Sequence, residues 1–144
     1  MLRKPCVFCE IGNGRAPALL VLEERDHVAF LDHRPLLHGH VLLVPRRHVE
    51  TFLELGPEEI GAVYGLAQRL ARALETGLSA DGSFLAVNTR ISQSVPHFHI
   101  HIVPRWKNDG LFSPKLVWKR RPYASDAEAE EVAAKIRCAL KREE

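Results

Sequence analysis

The segment His97-Phe98-His99-Ile100-His101-Ile102-Val103 alternates three histidines with large apolar residues. Alternation is the period of a β-strand, whose successive side chains point to opposite faces. It predicts that Phe98, Ile100 and Ile102 face a core, and that His97, His99 and His101 share the other face. Four strand steps separate His97 from His101, roughly 13 Å at the backbone, so the three imidazoles cannot all act on one atom. Such a row has three readings. It is the polar side of a half-buried strand, or part of a metal site, since histidines at period two can share an ion. Or it is a nucleophilic imidazole flanked by groups that assist it. The first explains the row poorly, because outward strand faces are ordinarily filled by Thr, Ser, Lys or Glu.

Other residues with chemistry lie near it. Ser92-Gln93-Ser94-Val95-Pro96 precedes the histidine row directly, and Asn88 ends the preceding apolar run. Their side-chain and backbone donors suit an oxyanion cradle. His38-Gly39-His40 and His48 flank another apolar run. Cys6-Val7-Phe8-Cys9 is a C-x-x-C with no thioredoxin-like pattern behind it, which argues against redox chemistry. As half of a zinc site it needs two further ligands, for which His48 is a candidate. The cysteines number 3, an odd count that argues against a disulfide framework. Cys138, within a helical pattern, reads as a small buried apolar group.

The elements that position these residues follow from periodicity and punctuation. Leu19 to Glu24, His27 to Asp32 and His40 to Val44 read as strands in an antiparallel meander, the third stopped by Pro45. Gly56-Pro57-Glu58-Glu59 starts a helix, with proline and acids in the first turn. Ile60, Val63, Tyr64, Ala67, Leu70, Ala71 and Leu74 give it an apolar stripe, and Gly77 is its expected stop. Phe84 to Asn88 is a fourth strand, and the histidine strand, ended by Pro104, is the fifth. Residues 105–124 are irregular and hold Trp106, Trp118 and a basic cluster of Lys115, Lys119, Arg120 and Arg121. Ser125-Asp126-Ala127-Glu128 fits a capping box for a helix over 125–142, striped by Ala129, Val132, Ala133, Ile136 and Leu140. The expectation is one α+β domain over 1–144, an antiparallel sheet of about five strands with two main helices.

Composition narrows the class. The 144 residues suit one domain with a core, and 46% hydrophobic with 26% charged residues is globular. A net charge of +2 does not by itself argue for nucleic acid. No apolar stretch reaches membrane-spanning length, and the basic N-terminus has no apolar run behind it, so a cytoplasmic protein is expected.

Gln93-Ser94-Val95-Pro96-His97-Phe98-His99-Ile100-His101-Ile102-Val103-Pro104-Arg105 resembles the signature of the histidine triad superfamily. Gly39 to His48 is similar to its other recurrent segment, and Phe30-Leu31-Asp32 to its nucleoside-pocket stretch. The likeness runs from Cys6 to about Lys107, and Ser92 stands where many members carry glycine. The resemblance implies a homodimer whose sheet continues across the interface, and a nucleotidyl hydrolase or transferase acting at an α-phosphate. It implies His99 as the nucleophile and His101 as the contact to phosphate and leaving group. Donors from Asn88, Gln93 and Ser94 would assist, Asp32 would hold the ribose, Phe30 would flank the base, and His40 would support the site from behind. It also implies one structural zinc per chain on Cys6, Cys9, His48 and His97, with no open coordination position.

The expected function is hydrolysis of a dinucleoside polyphosphate such as diadenosine tetraphosphate. The basic cluster then reads either as a solvated face or as a clamp for distal phosphates. A nucleoside phosphoramidate is the alternative substrate. Removal of adenylate from a nucleic-acid end is more distant, since the chain carries no dedicated nucleic-acid module. Two other classes are a non-catalytic nucleotide sensor, against which an intact His99 argues, and a hydrolase with a catalytic ion on the triad.

Overall fold

The computed structural model describes residues 5–113 and 120–142. In chain order the elements are α1 (Val7–Gly12), β1 (Leu20–Glu23), β2 (His27–Leu31), β3 (Val41–Pro45), a 3₁₀ turn (Phe52–Glu54), α2 (Pro57–Leu78), β4 (Gly82–Ala86), β5 (Ile100–Arg105) and α3 (Asp126–Lys141). The five strands form one antiparallel sheet in the order β1-β2-β3-β5-β4. The meander of the first three strands is as expected, and α2 carries the chain across to the edge strand β4. Lys115, Trp118 and Lys119 of the basic segment lie outside the described residues.

Strand alternation sorts side chains between two faces. On one, Ala29, Leu31, Val41, Leu43, Ile100 and Ile102 pack with Val63, Ala67, Leu70 and Leu74 of α2 and Ala133, Ile136 and Leu140 of α3. On the other, Val28, Phe30, Leu42 and Val44 pack with Phe8 and Ile11 of α1. Phe98 joins the first core at 1% exposure, and its removal would cost about 3–5 kcal/mol. The helix starts follow the expected chemistry. Glu59 accepts the Gly56 N–H at 2.8 Å, and the Ser125 hydroxyl accepts the Glu128 N–H at 3.1 Å.

Four expectations need correction. Pro45 and Pro104 do not end their strands: Pro45 pairs with His27, and Pro104 with Ser83. The β3–β5 ladder spans only Val41↔Ile102 to Leu43↔Ile100. Each proline therefore has a strand partner on one side only, the edge-like setting that tolerates it. Gly77 does not stop α2, which runs to Leu78 and ends on Ser79 in the left-handed region, at φ 53°. Gly77 serves helix packing instead, because a Cβ there would stand 2.7 Å from the Lys135 carbonyl oxygen of α3. Tyr64 is exposed on α2 rather than part of its buried stripe. Cys138 is exposed rather than buried: the inward face of α3 is set by Ala129, Ala133, Ile136 and Leu140, and position 138 falls outside it.

Candidate active site and cysteine–histidine cluster

The strand β5 begins only at Ile100, so His97, Phe98 and His99 precede the ladder. Alternation nevertheless persists, because the Phe98 N–H donates to the Val49 carbonyl at 2.6 Å and holds the segment extended beside the chain leaving β3. His97 and His99 are buried at 0% and 4% exposure, and His101 is half-buried. Their ring hydrogen bonds assign a tautomer to each, with the proton on Nε2 in His97 and His101 and on Nδ1 in His99.

The Nε2–H of His97 donates to the Pro45 carbonyl at 2.8 Å, which leaves Nδ1 as the free lone pair. The Nδ1–H of His99 donates to the His97 carbonyl at 2.7 Å, which leaves Nε2 free. The third assignment comes from His40, wholly buried behind the triad and set there by the turn at Gly39. His40 Nδ1 accepts the Leu36 N–H at 3.1 Å, so its proton sits on Nε2 and is donated to His101 Nδ1 at 2.9 Å. His101 therefore carries its own proton on Nε2. The rings of His99 and His101 meet edge to face, with centroids 4.8 Å apart.

Burial also holds these rings neutral. It pushes His40 down to about 3, and His97 and His101 to about 4, with neighbouring imidazoles adding to the effect at each. His99 is lowered by burial as well. A neutral imidazole keeps a lone pair, which a nucleophile or a metal ligand requires.

His99 and His101 open onto a cavity of about 1070 Å³ that Phe8, Phe30, Asp32 and Ser94 also line. Its apolar end is built by α1, where the Phe8 ring meets Phe30 and His99 edge to face at 5.4 and 5.1 Å. At the other end Asp32 is buried, with Oδ1 accepting the Arg34 N–H at 2.9 Å and Oδ2 accepting from Arg120 at 3.3 Å. Gln93 and Asn88 do not line this cavity. The Gln93 amide donates to the Glu50 carbonyl at 2.6 Å and accepts the Arg90 N–H at 2.8 Å, bracing the loop from inside. That loop turns through left-handed Arg90 and Ser92, at φ 67° and 60°, a conformation that glycine adopts without steric cost.

Cys6, Cys9, His48 and His97 converge, with one ligand atom from each within 4.8 Å of the others. Cys6 and Cys9 Sγ stand 3.3 and 3.5 Å from His97 Nδ1, and Cys9 Sγ stands 3.3 Å from His48 Nδ1. Sulfur and nitrogen bound to one tetrahedral zinc at ordinary bond lengths lie about 3.5 Å apart, so the donor set fits that ion. Burial, with Cys6 alongside, pushes the Cys9 thiol up to about 11, and a bound dication would reverse this by taking the thiolate as ligand. Asp32, His40 and His101 form a second cluster, but the imidazole lone pairs there are spent on the hydrogen bonds already described.

Two contributors, Phe8 and Tyr123, and one contact, that of Arg120 with Asp32, were not legible in the sequence. Phe8 sits inside the C-x-x-C, where helical pairing with Ile11 is its only signal. The Tyr123 hydroxyl accepts the Gly39 N–H at 2.8 Å, and its ring stacks on His38 at 4.3 Å. Arg120 reaches Asp32 across 88 residues of sequence. None of these belongs to a local motif.

Fold and site together define an antiparallel α+β protein with a histidine-lined cavity beside a Cys₂His₂ cluster. Comparison with known proteins names the class. Residues 13–108 match the HIT domain. An uncharacterised HIT-like protein of Mycobacterium tuberculosis is 37% identical, over 81% of this chain and 83% of its own length. The adenylylsulfatase HINT3 of Arabidopsis thaliana is 32% identical over 99% of this chain and 75% of its own length. A zinc-bound histidine triad family protein from Mycobacterium smegmatis superposes with a TM-score of 0.81 at 36% identity, covering 95% of this chain and 94% of that one. The chain belongs to the HIT domain family. No helix among the described residues is long and apolar enough to cross a membrane.

Proposed function

We propose that the protein hydrolyses a dinucleoside polyphosphate, such as diadenosine tetraphosphate, at an α-phosphate through a nucleotidyl intermediate on His99. The observation that carries this reading is the bond from His99 Nδ1–H to the His97 carbonyl, which leaves a neutral ring with its Nε2 lone pair free. In the first step Nε2 attacks the α-phosphorus, an N–P bond forms, and the bridging P–O bond breaks. The leaving polyphosphate takes the electron pair. In the second step water attacks phosphorus, the N–P bond breaks, His99 regains its lone pair, and the water proton is released to solvent.

The environment of His101 favours an anhydride. Its Nε2–H stabilises a departing phosphate oxygen by a hydrogen bond, and a polyphosphate departs as an anion without needing a full proton. An amine leaving group needs one, and a ring lowered to about 4 supplies it poorly near pH 7. This ranks the phosphoramidate second. The relative named an adenylylsulfatase supports adenylyl chemistry of this general kind. Asp32 would accept from the ribose hydroxyls, Phe30 and Phe8 would flank the base, and Ser94 would donate to the phosphate. Asn88 and Gln93 would hold the phosphate loop, and His40 would fix the His101 tautomer from behind.

Cys6, Cys9, His48 and His97 would hold one zinc ion, which supplies a four-coordinate crosslink rather than an open position. His97 would thereby join the metal cluster to the carbonyl that orients His99. We also infer a homodimer joined along the free edge strand β4, whose outward Leu85 is 36% exposed. Hydrolysis of diadenosine tetraphosphate in ¹⁸O-water tests the site of attack. The label is expected in the phosphate of AMP, and label in ATP would overturn attack at the α-phosphorus.

A further inference from the structure

The sugar end of the cavity brings arginines to a place where a ribose asks only for an acid. Asp32, Arg34 and Arg120 all line the cavity, as do His99 and, from the start of α3, Asp126. Arg120 Nη1 is bonded both to Asp32 Oδ2, at 3.3 Å, and to the Arg34 carbonyl, at 2.6 Å. The carboxylate is thus offset by one guanidinium and further satisfied by the Arg34 N–H. Only Nη1 of Arg120 is bonded among the described residues, so Nε and Nη2 keep their donors. The Arg34 side chain is exposed and has no partner among the described residues, so its charge is not offset. The two arginines are tied together at the Arg34 carbonyl, and both residues line one cavity. Paired guanidinia with spare donors match the oxygens of a phosphate dianion. A sugar hydroxyl asks for an acid, whereas a phosphate on that hydroxyl asks for an arginine. This site offers both.

We propose that Arg34 and Arg120 form a subsite for a phosphate carried on the sugar, so that nucleotides phosphorylated at the 2′- or 3′-oxygen are ligands and substrates of this site. The inference rests on the reading of Asp32 as the sugar's partner. It places Arg120 of the basic segment at the sugar rather than on distal phosphates of the 5′ chain, while Arg121 is bonded to the Asp109 carbonyl.

The test measures binding of AMP, ADP, adenosine 2′,5′-bisphosphate and adenosine 3′,5′-bisphosphate by calorimetry. It uses the full-length zinc-loaded protein and the variants Arg34→Ala and Arg120→Ala, each checked for an unchanged circular dichroism spectrum. One of the two bisphosphates is expected to bind at least tenfold tighter than AMP. That advantage should fall at least fivefold in both variants. Arg34, whose side chain is exposed and has no partner among the described residues, can be removed without disturbing the fold, so Arg34→Ala alone decides the matter if Arg120→Ala misfolds. Bisphosphates that bind no better than AMP would overturn the subsite and leave the nucleotide reading standing. So would an equal gain for ADP, which would move the anion to the 5′ chain. Failure of AMP itself to bind would overturn the nucleotide reading, and the subsite with it.

Discussion

The Nδ1–H of His99 is bonded to the backbone carbonyl of His97, two residues earlier, at 2.7 Å. His97 in turn donates from Nε2 to Pro45 and turns Nδ1 toward the thiols of Cys6 and Cys9. One residue therefore faces the cysteine–histidine cluster through its side chain and sets the His99 tautomer through its backbone. His99→Ala is expected to lower kcat for diadenosine tetraphosphate by roughly three orders of magnitude or more. It should cost no more than about 2 kcal/mol of stability in urea unfolding, because the ring is one partner among several around Phe8. Normal turnover in this variant would remove His99 from the nucleophile's role.

Metal removal separates a structural ion from a catalytic one. The fit of Cys6, Cys9, His48 and His97 to a closed tetrahedron predicts that chelation lowers the melting temperature and that activity falls only as the folded fraction does. Cys6→Ser should lose zinc content and thermal stability together. A chelated protein that melts normally yet is inactive would point to a catalytic ion instead.

Acid should weaken the fold through His40. Its pKa is near 6.5 when unfolded and is driven to about 3 by burial in the folded protein. Between those values the unfolded chain binds the extra proton, so stability falls as pH drops below about 6.5 and the loss levels off below about 3. His40 alone accounts for about 2 kcal/mol between pH 7 and pH 5. His40→Gln, which stays neutral, should show that much less loss in urea titrations at the two pH values. An unchanged pH dependence would mean that His40 is not held neutral by the fold.

Gly39 has φ of +101°, and a Cβ there would collide with Leu78 Cδ1 and stand 3.1 Å from Pro104 Cγ. Gly39→Ala is expected to destabilise the protein by about 2 kcal/mol or more, visible as a drop of several degrees in melting temperature. Because Gly39 delivers His40 and bonds Tyr123, activity should fall beyond the loss of folded protein. A variant as stable as wild type would contradict the assigned turn.

The legible part of this protein was whatever repeats at the period of its own element. The histidine row, the apolar run of β3 and the stripes of α2 and α3 each declared a face. The four candidate metal ligands were named through the superfamily resemblance, and the structure brings those four side chains together. Short or distant features were not legible. The six residues of α1 are too few to show a helical period, so Phe8 went unnoticed inside the C-x-x-C. Cys138 depended on the phase of α3 against the sheet, and the fate of Pro45 and Pro104 on where a neighbouring ladder ends. The contacts of Arg120 with Asp32 and of Tyr123 with Gly39 join residues more than eighty positions apart. Such pairings come from tertiary packing, and local sequence carries no trace of them.

The central claim is a covalent nucleotidyl-imidazole on His99, and intact-protein mass tests it most directly. Wild type and His99→Ala are mixed briefly with diadenosine tetraphosphate and quenched at neutral pH, because a phosphorus–imidazole bond is acid-labile. An adenylyl mass increment on wild type, absent from His99→Ala, is the predicted result. Steady product formation by wild type with no increment at any quench time, or an equal increment on the variant, would contradict it.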